Sequence, residues 1–197
     1  MAKTGKQDPA AIVAMHAGAT PSQGRSATEP PRPRRTKGLP VPRRVTRDGQ
    51  TAAQVFDEVE WTRRPAKISG ADGEVVFKMD DAEVPAAFSQ LATDVAVSKY
   101  FRKAGVPHHI SPSGSETSVR QIVRRVAHTL RTSGEAMGGY FGTPADAEAF
   151  EAELTFMLVH QIGAFNSPVW FNCGLHNEYG IKGSGGNYAV DLTSGTA

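Results

Sequence analysis

Residues 66–79 read AKISGADGEVVFKM, and this stretch decides the fold that the sequence predicts. Its middle, Gly70-Ala71-Asp72-Gly73, brackets an aspartate with glycines, which supply the positive φ angles that a tight turn requires. On the C-terminal side Val75, Phe77 and Met79 recur at every second position, so one face of this strand is apolar. The pattern predicts a β-hairpin that needs a helix to cover it, because an isolated hairpin is only marginally stable.

Helical patterns follow the hairpin in three segments. The first runs from about Pro85 to Ala104, and the second from about Thr117 to Arg131. The third begins with Thr143 as its N-cap and Pro144 at the first helical position, and it ends at Gly163. Apolar residues three and four positions apart give each helix a buried face. The charged positions opposite are expected to face solvent: Arg120, Arg124 and Arg125 in the second helix, and Glu148, Glu151 and Glu153 in the third.

The N-terminal quarter of the chain differs in composition from the rest. Residues 1–50 hold seven of the thirteen prolines and ten Lys/Arg against three Asp/Glu. They contain few large apolar residues, so they cannot bury enough surface to offset the entropy of ordering. The sequence predicts a disordered basic Pro/Arg-rich leader over residues 1–54, a helical domain over residues 55–164 and the start of another domain over residues 165–197.

Composition also limits the class of protein. A chain of 197 residues that is 39% hydrophobic can form one sizeable domain. Since no run approaches the roughly 20 apolar residues of a membrane-spanning helix, the default expectation is a cytoplasmic protein without membrane contact. The single cysteine excludes an intramolecular disulfide and a cysteine-rich zinc site. His108 and His109 lack further ligands at a suitable spacing, so we assign no metal site.

The densest group of chemically capable side chains lies in residues 165–175, FNSPVWFNCGL. This stretch holds one of the two tryptophans, two asparagines, a serine and the only cysteine. Aromatic rings beside side-chain amides suit the wall of a binding pocket, because buried amides need hydrogen-bond partners. An apolar turn whose asparagines bond to local backbone is the alternative, and the residues alone leave both interpretations open.

Together with Tyr179-Gly180-Ile181, this stretch resembles the adenosylcobalamin-dependent (class II) ribonucleotide reductases. Segments upstream resemble the N-terminal region of the same family, in order and at sensible spacing. They are VVFKMDD at residues 75–81, VP at residues 84–85, FSQLA at residues 88–92 and SKYFRKAGVP at residues 98–107. The resemblance extends over about residues 67–187 and does not include the leader.

The resemblance implies a fold class: a mainly α N-terminal region with a small β-hairpin, leading into a truncated α/β catalytic domain of the ten-stranded barrel type. It implies an enzyme that reduces ribonucleotides, here assigned as ribonucleoside diphosphates, to deoxyribonucleotides for DNA synthesis or repair. In the family, adenosylcobalamin starts thiyl radical chemistry at an active-site cysteine. The implied partners are the ribonucleotide and a thioredoxin-like or glutaredoxin-like reductant, and a separate downstream barrel polypeptide is a further partner if the chain is not a fragment of a longer reductase.

Site residues follow from the same resemblance. The family's reaction uses at least three thiols and this chain has one, so we expect an inactive fragment or one part of a divided enzyme. The reacting cysteines of the family lie in the barrel after this stretch, so Cys173 is expected to be a packing cysteine and no catalytic residue is assigned. Ser167, in the Asn-Ser-Pro motif, matches a position that contacts the nucleotide near its phosphates, and Asn166 is expected to assist it. Cofactor-binding residues stay unassigned.

Two hypotheses from other classes stand beside this one. The chain could be a non-catalytic assembly or regulatory module that docks a partner through its helices and holds a polyanion through the basic leader. It could instead bind nucleic acid through the leader, with a steep salt dependence of binding. The arginines of the leader alternate with prolines rather than with aromatic residues that stack on bases, which argues against the second of these.

Overall fold

The computed structural model describes residues 38–182, and most of the predicted leader and the glycine-rich residues 183–197 lie outside this range. The elements, in chain order, are α1 (Ala52–Asp57), β1 (Trp61–Ser69), β2 (Val75–Pro85), α2 (Gln90–Val95), a π-helix (Ala96–Tyr100), α3 (Val119–Ala136), α4 (Pro144–Val159), α5 (Ser167–Asn172) and α6 (Leu175–Tyr179). The mainly α region with a small hairpin is therefore confirmed, and the described residues include no catalytic barrel. Over the same range, no helix is both long and apolar enough to cross a bilayer.

The hairpin forms where the sequence predicts it and is longer than predicted. Strands β1 and β2 pair antiparallel from Ser69 and Val75 beside the turn to Trp61 and Pro85 at the far end. The pairing register shifts between Arg64 and Ala66. Pro65 stands at this point, and a proline has no N–H to donate to a strand ladder.

The hairpin packs most closely on the rest of the molecule at its base, and Phe77 and Met79 nearer the turn are only partly buried against the core. Ala66, Ala82 and Val84 are fully buried at the base, whereas Val76 near the turn is 70% exposed. The alternation of residues predicts the apolar face correctly but not how far along the strand burial extends. The end of the hairpin that carries the turn is largely in solvent.

The first predicted helix is wrong at both ends. Pro85 is the last residue of β2, and α2 begins only after Ser89, whose hydroxyl accepts the N–H of Ala92 at 3.1 Å. The antiparallel ladder extends through Pro85, so this residue is extended rather than helical. After α2 the backbone widens into the π-helix and turns to an extended conformation at Phe101. Single π-helical turns are rare and are frequent at functional sites.

Helices α3 and α4 form the centre of the molecule and pack against each other. A capping box of Ser118 and Gln121 begins α3, which extends to Ala136 rather than to the predicted Arg131. Thr143 caps α4 with Pro144 in its first turn, as the sequence predicts. The hydrophobic core lies between these helices, α1, the π-helix and the base of the hairpin, and its most buried members include Val55, Ala66, Ala82, Val84, Val97, Ala127 and Ala152.

Half of the charged positions that were predicted to face solvent are buried instead. Arg125 is 1% exposed, and Glu151 and Glu153 are each 8% exposed. Burial of a charge is tolerated where partners satisfy it, and all three side chains have such partners. Glu151, for example, accepts hydrogen bonds from His128 on α3 at 3.1 Å and from Arg131 at 2.9 Å. The spacing of apolar and charged residues along a helix could not reveal these partners, because the partners belong to other elements of the fold.

Residues 38–50, here called the N-terminal strap, are ordered against α4, and the predicted lack of fixed structure is wrong for residues 38–54. The N–H of Leu39 donates to the carbonyl of Tyr140 at 2.7 Å. The N–H of Val41 donates to the Asp146 carboxylate at 2.8 Å. The carboxylate of Glu153 accepts backbone N–H groups from three consecutive residues, Arg44, Val45 and Thr46. Polar contacts to backbone, rather than apolar burial, hold the strap.

Candidate functional site

Ser167 is the first residue of α5, in a stretch that the sequence left open between a pocket wall and an apolar turn. Pro168 follows it, and a fixed φ suits the first turn of a helix. The half-buried Ser167 hydroxyl lies 3.2 Å from the phenolic oxygen of Tyr100, the last residue of the π-helix. Asn166 stands at the N-cap position with an exposed side chain that makes no capping hydrogen bond.

Tyr100 belongs to a cluster of aromatic rings. The Tyr100 ring lies 6.2 Å from that of Trp170 and 5.5 Å from that of Phe171, measured between centroids. Phe165 meets Trp170 edge to face at 6.0 Å. These separations lie in the range of favourable aromatic pairs. Each interpretation of residues 165–175 thus keeps one observation: Trp170 lines the cleft described below, and the Asn172 amide donates to the local carbonyl of Pro168 at 3.1 Å.

A cleft of about 430 Å³ opens beside this cluster, between α2, the π-helix, α3 and the end of α4. Its volume falls in the range of small-molecule sites. Tyr100 and Trp170 form part of its wall, and Gln161 is another of its few polar side chains. Ser167 is adjacent to the cleft through Tyr100 rather than part of the lining. Its other lining residues include Phe88, Val95, Ile122, Leu158 and Ile162.

Behind α5 lies a buried ion pair between Arg125 on α3 and Glu116 in the preceding loop. The Arg125 Nε donates to Glu116 Oε1 at 2.8 Å, and the two side chains are 1% and 0% exposed. Glu116 Oε2 accepts the backbone N–H of Arg102 at 2.7 Å, and Glu116 Oε1 accepts the hydroxyl of Tyr179 at 2.8 Å. Burial, followed by the Glu116 carboxylate, raises the pKa of Tyr179, so the phenol stays protonated and donates.

The two Nη groups of Arg125 make their shorter hydrogen bonds to backbone carbonyls. Nη1 donates to the carbonyl of Cys173 and Nη2 to that of Trp170, both at 2.7 Å. Nη2 also lies 3.3 Å from the carbonyl of Tyr100. This arrangement was not predicted from the sequence, in which the helical pattern places Arg125 on the solvent face. The available signal was the position of Arg125 three residues after Ile122, at the edge of the apolar stripe.

Cys173 directly follows α5 and is half-buried. Burial raises the pKa of its thiol, and the nearby Arg125 guanidinium only partly opposes this effect. A protonated, half-buried thiol is a poor nucleophile. This environment suits the packing role that was expected for it. Across residues 38–182, no three His, Cys, Asp or Glu side chains stand close enough together to hold a metal ion.

Comparison with known proteins identifies the family of the chain. A family model described as class II vitamin B12-dependent ribonucleotide reductase matches residues 62–161, which is about half of the chain. The chain belongs to this family. The match includes the hairpin, the π-helix, α3 and α4, so the resemblance seen in the sequence is confirmed over most of the described fold.

Several vitamin B12-dependent ribonucleotide reductases are similar to this class II chain. The protein of Rhodopirellula baltica is 46% identical over 149 residues, which cover 76% of this chain and 14% of the relative. That of Agrobacterium fabrum is 42% identical over 184 residues, with 79% of this chain and 14% of the relative covered. The protein of Streptomyces avermitilis is 44% identical over 142 residues, which cover 71% of this chain and 14% of the relative. The chain thus spans about 14% of the length of these curated relatives.

The name of this reductase family implies a cobalamin, and residues 38–182 do not by themselves fit one. The cleft of about 430 Å³ lies in the lower part of the range for small-ligand pockets, whereas a corrin macrocycle with its nucleotide arm is a much larger group. Its lining is mainly apolar and offers few polar side chains to orient such a ligand. No described residue is therefore assigned to the cofactor.

Proposed function

We propose that this chain is the N-terminal part of a reductase that converts ribonucleotides to deoxyribonucleotides by adenosylcobalamin-initiated thiyl radical chemistry. Within it, Ser167 contacts the phosphates of the bound ribonucleotide, and Asn166 assists. The observation that carries the assignment is the half-buried Ser167 hydroxyl, paired with Tyr100 at 3.2 Å on the first turn of α5. A serine hydroxyl can accept from the phenol and still donate to a phosphate oxygen. The exposed Asn166 amide adds a second donor beside it.

The chemistry needs groups that this sequence does not supply. The family's reaction uses a thiyl cysteine and a cysteine pair, whereas Cys173 is the only thiol among the 197 residues. We therefore propose that the catalytic thiols and the cofactor site come from a barrel, on the same or a separate polypeptide. A thioredoxin-like or glutaredoxin-like protein would reduce the cysteine pair, and the expected substrates are ribonucleoside diphosphates. The isolated chain should show no turnover.

A complementation assay tests the proposal. The chain is mixed with a vitamin B12-dependent ribonucleotide reductase from which the corresponding N-terminal region has been deleted, and deoxynucleotide formation is measured with adenosylcobalamin, a dithiol reductant and a ribonucleoside diphosphate. We expect product from the mixture and from neither component alone. Ser167→Ala should raise KM about 10-fold or more, with a smaller effect on kcat, because a hydrogen bond to a charged group contributes about 1.5–3 kcal/mol.

Ser133→Ala is the matched control, since Ser133 is a half-buried serine on α3 away from the site. It should leave KM unchanged. Turnover by the 197-residue chain alone would contradict the proposal that the catalytic thiols come from the barrel. An unchanged KM for Ser167→Ala in an active mixture would contradict the phosphate contact.

One structural observation favours the alternative function, a non-catalytic module that docks a partner protein. Leu91 on α2 is 73% exposed, and Ile162, which lines the cleft, is 60% exposed. Leu91 is not in the lining but directly precedes the lining residue Ala92, and exposed apolar side chains grouped beside an apolar cleft are typical of surfaces that contact another protein. The same mixing experiment separates the two functions, because binding to the deleted reductase without restored activity would favour the module.

A further inference from the structure

Helix α5, which carries Ser167, makes few stabilising contacts through its own side chains. It has six residues, and none of them is buried. A helix of this length is not stable alone, because few hydrogen bonds compensate for the nucleation of the first turn. The position of the Ser167 hydroxyl must therefore be set by contacts from outside the helix.

The strongest of these contacts come from Arg125 on α3. Its guanidinium donates to the carbonyls of Trp170 and Cys173, both at 2.7 Å, at the C-terminal end of α5. Carbonyls at a helix end lack partners within the helix, so a cation placed there satisfies them and favours the helix. Arg125 thus anchors α5 at the end opposite to Ser167.

The same guanidinium reaches the second member of the hydroxyl pair. Arg125 Nη2 lies 3.3 Å from the carbonyl of Tyr100, whose side chain meets Ser167. Glu116 balances the buried charge and also binds the N–H of Arg102, two residues after Tyr100. The two segments that carry the hydroxyls are therefore tied to one ion pair.

We propose that Arg125 is a positioning residue that, with Glu116 as its counter-ion, sets the Tyr100–Ser167 hydroxyl pair. A planar guanidinium is needed because several acceptors lie around it in different directions, and a lysine ammonium cannot reach them together. What Ser167 binds rests on the proposed function above. How α5 is held does not depend on that function.

Hydrogen–deuterium exchange on the full 197-residue chain tests the anchoring directly. The reporters are the amides of Val169 and Cys173, which donate within the α5 turn at 3.1 and 2.9 Å. Because Arg125→Met alone would leave Glu116 buried and unpaired, the variants are Arg125→Lys and the double variant Arg125→Met with Glu116→Gln. We expect exchange at least about 10-fold faster at these amides and unchanged exchange along α4.

Arg120→Lys is the control, because Arg120 also lies on α3 but pairs with Glu83, away from α5. It should leave the α5 amides unchanged. Unaltered exchange at Val169 and Cys173 in both Arg125 variants would overturn the proposal. So would equal acceleration along α4, because the effect would then be one on the whole fold.

The kinetic consequence is measured in the complementation assay. Arg125→Lys should raise KM in the same direction as Ser167→Ala, and more than it lowers kcat. If Ser167→Ala raises KM and Arg125→Lys does not, Arg125 does not set the hydroxyl pair. If Ser167→Ala leaves KM unchanged in an active mixture, the proposed contact between Ser167 and the substrate is wrong. Hydrogen–deuterium exchange at the α5 amides then still tests whether Arg125 positions the helix.

Discussion

At the scale of single residues, Glu153 shows how a buried carboxylate can order a neighbouring segment. It accepts three consecutive backbone N–H groups of the strap and the hydroxyl of Thr46. Burial opposes its ionisation, but the Thr46 hydroxyl and these N–H groups outweigh burial and lower the pKa of Glu153. Hydrogen bonds to a charged acceptor are stronger than neutral ones, so ionised Glu153 stabilises the folded state.

Replacing Glu153 by glutamine should therefore destabilise the chain in a pH-dependent way. A carboxyl group whose folded pKa is lowered stabilises fully above its ordinary pKa, about 4.3, and the stabilisation is lost as the pH falls through the folded value. We expect Glu153→Gln to lower the free energy of unfolding by about 1–2 kcal/mol at pH 7 and by less near pH 3. Urea unfolding at both pH values measures this.

The exposed Glu148 on the same helix provides the control, and Glu148→Gln should change little at either pH. A difference between Glu153→Gln and the native chain that is the same at pH 3 and pH 7 would rule out ionised Glu153 as the stabilising group.

At the scale of elements, the junction between α5 and α6 depends on Gly174. Its φ is 81°, and a Cβ at this position would lie 2.2 Å from the carbonyl oxygen of Arg125. No real Cβ tolerates that distance from backbone. The close approach of the junction to α3 is therefore possible only without a side chain.

Gly174→Ala should displace α5 and α6, whereas Gly180→Ala should not. Gly180 also has a positive φ, 68°, but nothing lies within 4 Å of an added Cβ. Gly180→Ala should therefore lower the free energy of unfolding by only about 1–2 kcal/mol, which is the cost of placing an alanine in the left-handed conformation. Gly174→Ala adds the clash, and we expect about 1–3 kcal/mol more. Thermal or urea unfolding checks both, and equal effects would show that the junction can move away from α3.

The sequence predicted elements well where their signals are local. The turn glycines gave the hairpin, and Thr143 with Pro144 gave the start of α4. The sequence-based prediction failed where a residue distant in the chain determines the local structure. Pairing with β1 extends β2 through Pro85, a residue whose type had suggested the start of a helix. The π-helix leaves no mark in the spacing of apolar residues, so the end at Tyr100 could not be predicted.

For the candidate site, the sequence singled out residues 165–175 and missed the contacts that hold them in place. The hydroxyl of Ser167 lies 3.2 Å from that of Tyr100, and its contact with substrate stays a prediction. Arg125 resembled the neighbouring Arg120 and Arg124, because its partners other than Glu116 are backbone carbonyls, and these carry no residue type that a sequence pattern could show.

At the scale of the whole molecule, the strap joins the N-terminal side of the described chain to α4. Two truncations that start at residue 38 and at residue 51 should differ in stability, because only the longer one keeps the contacts to Asp146 and Glu153. We expect the shorter chain to have a lower free energy of unfolding, by about 2–4 kcal/mol for the several hydrogen bonds lost. Identical unfolding curves would show that the strap is not coupled to the fold.

The Arg125 contacts have a consequence for the order of folding. The carbonyls that bind Arg125 lie 45 and 48 residues away from it in the chain, so α5 gains its anchor only after α3 has formed and a long loop has closed. With no buried residues of its own, α5 belongs to the parts of a protein that form late and open first. Within residues 38–182, the segment that bears Ser167 is then an expected early site of limited proteolysis.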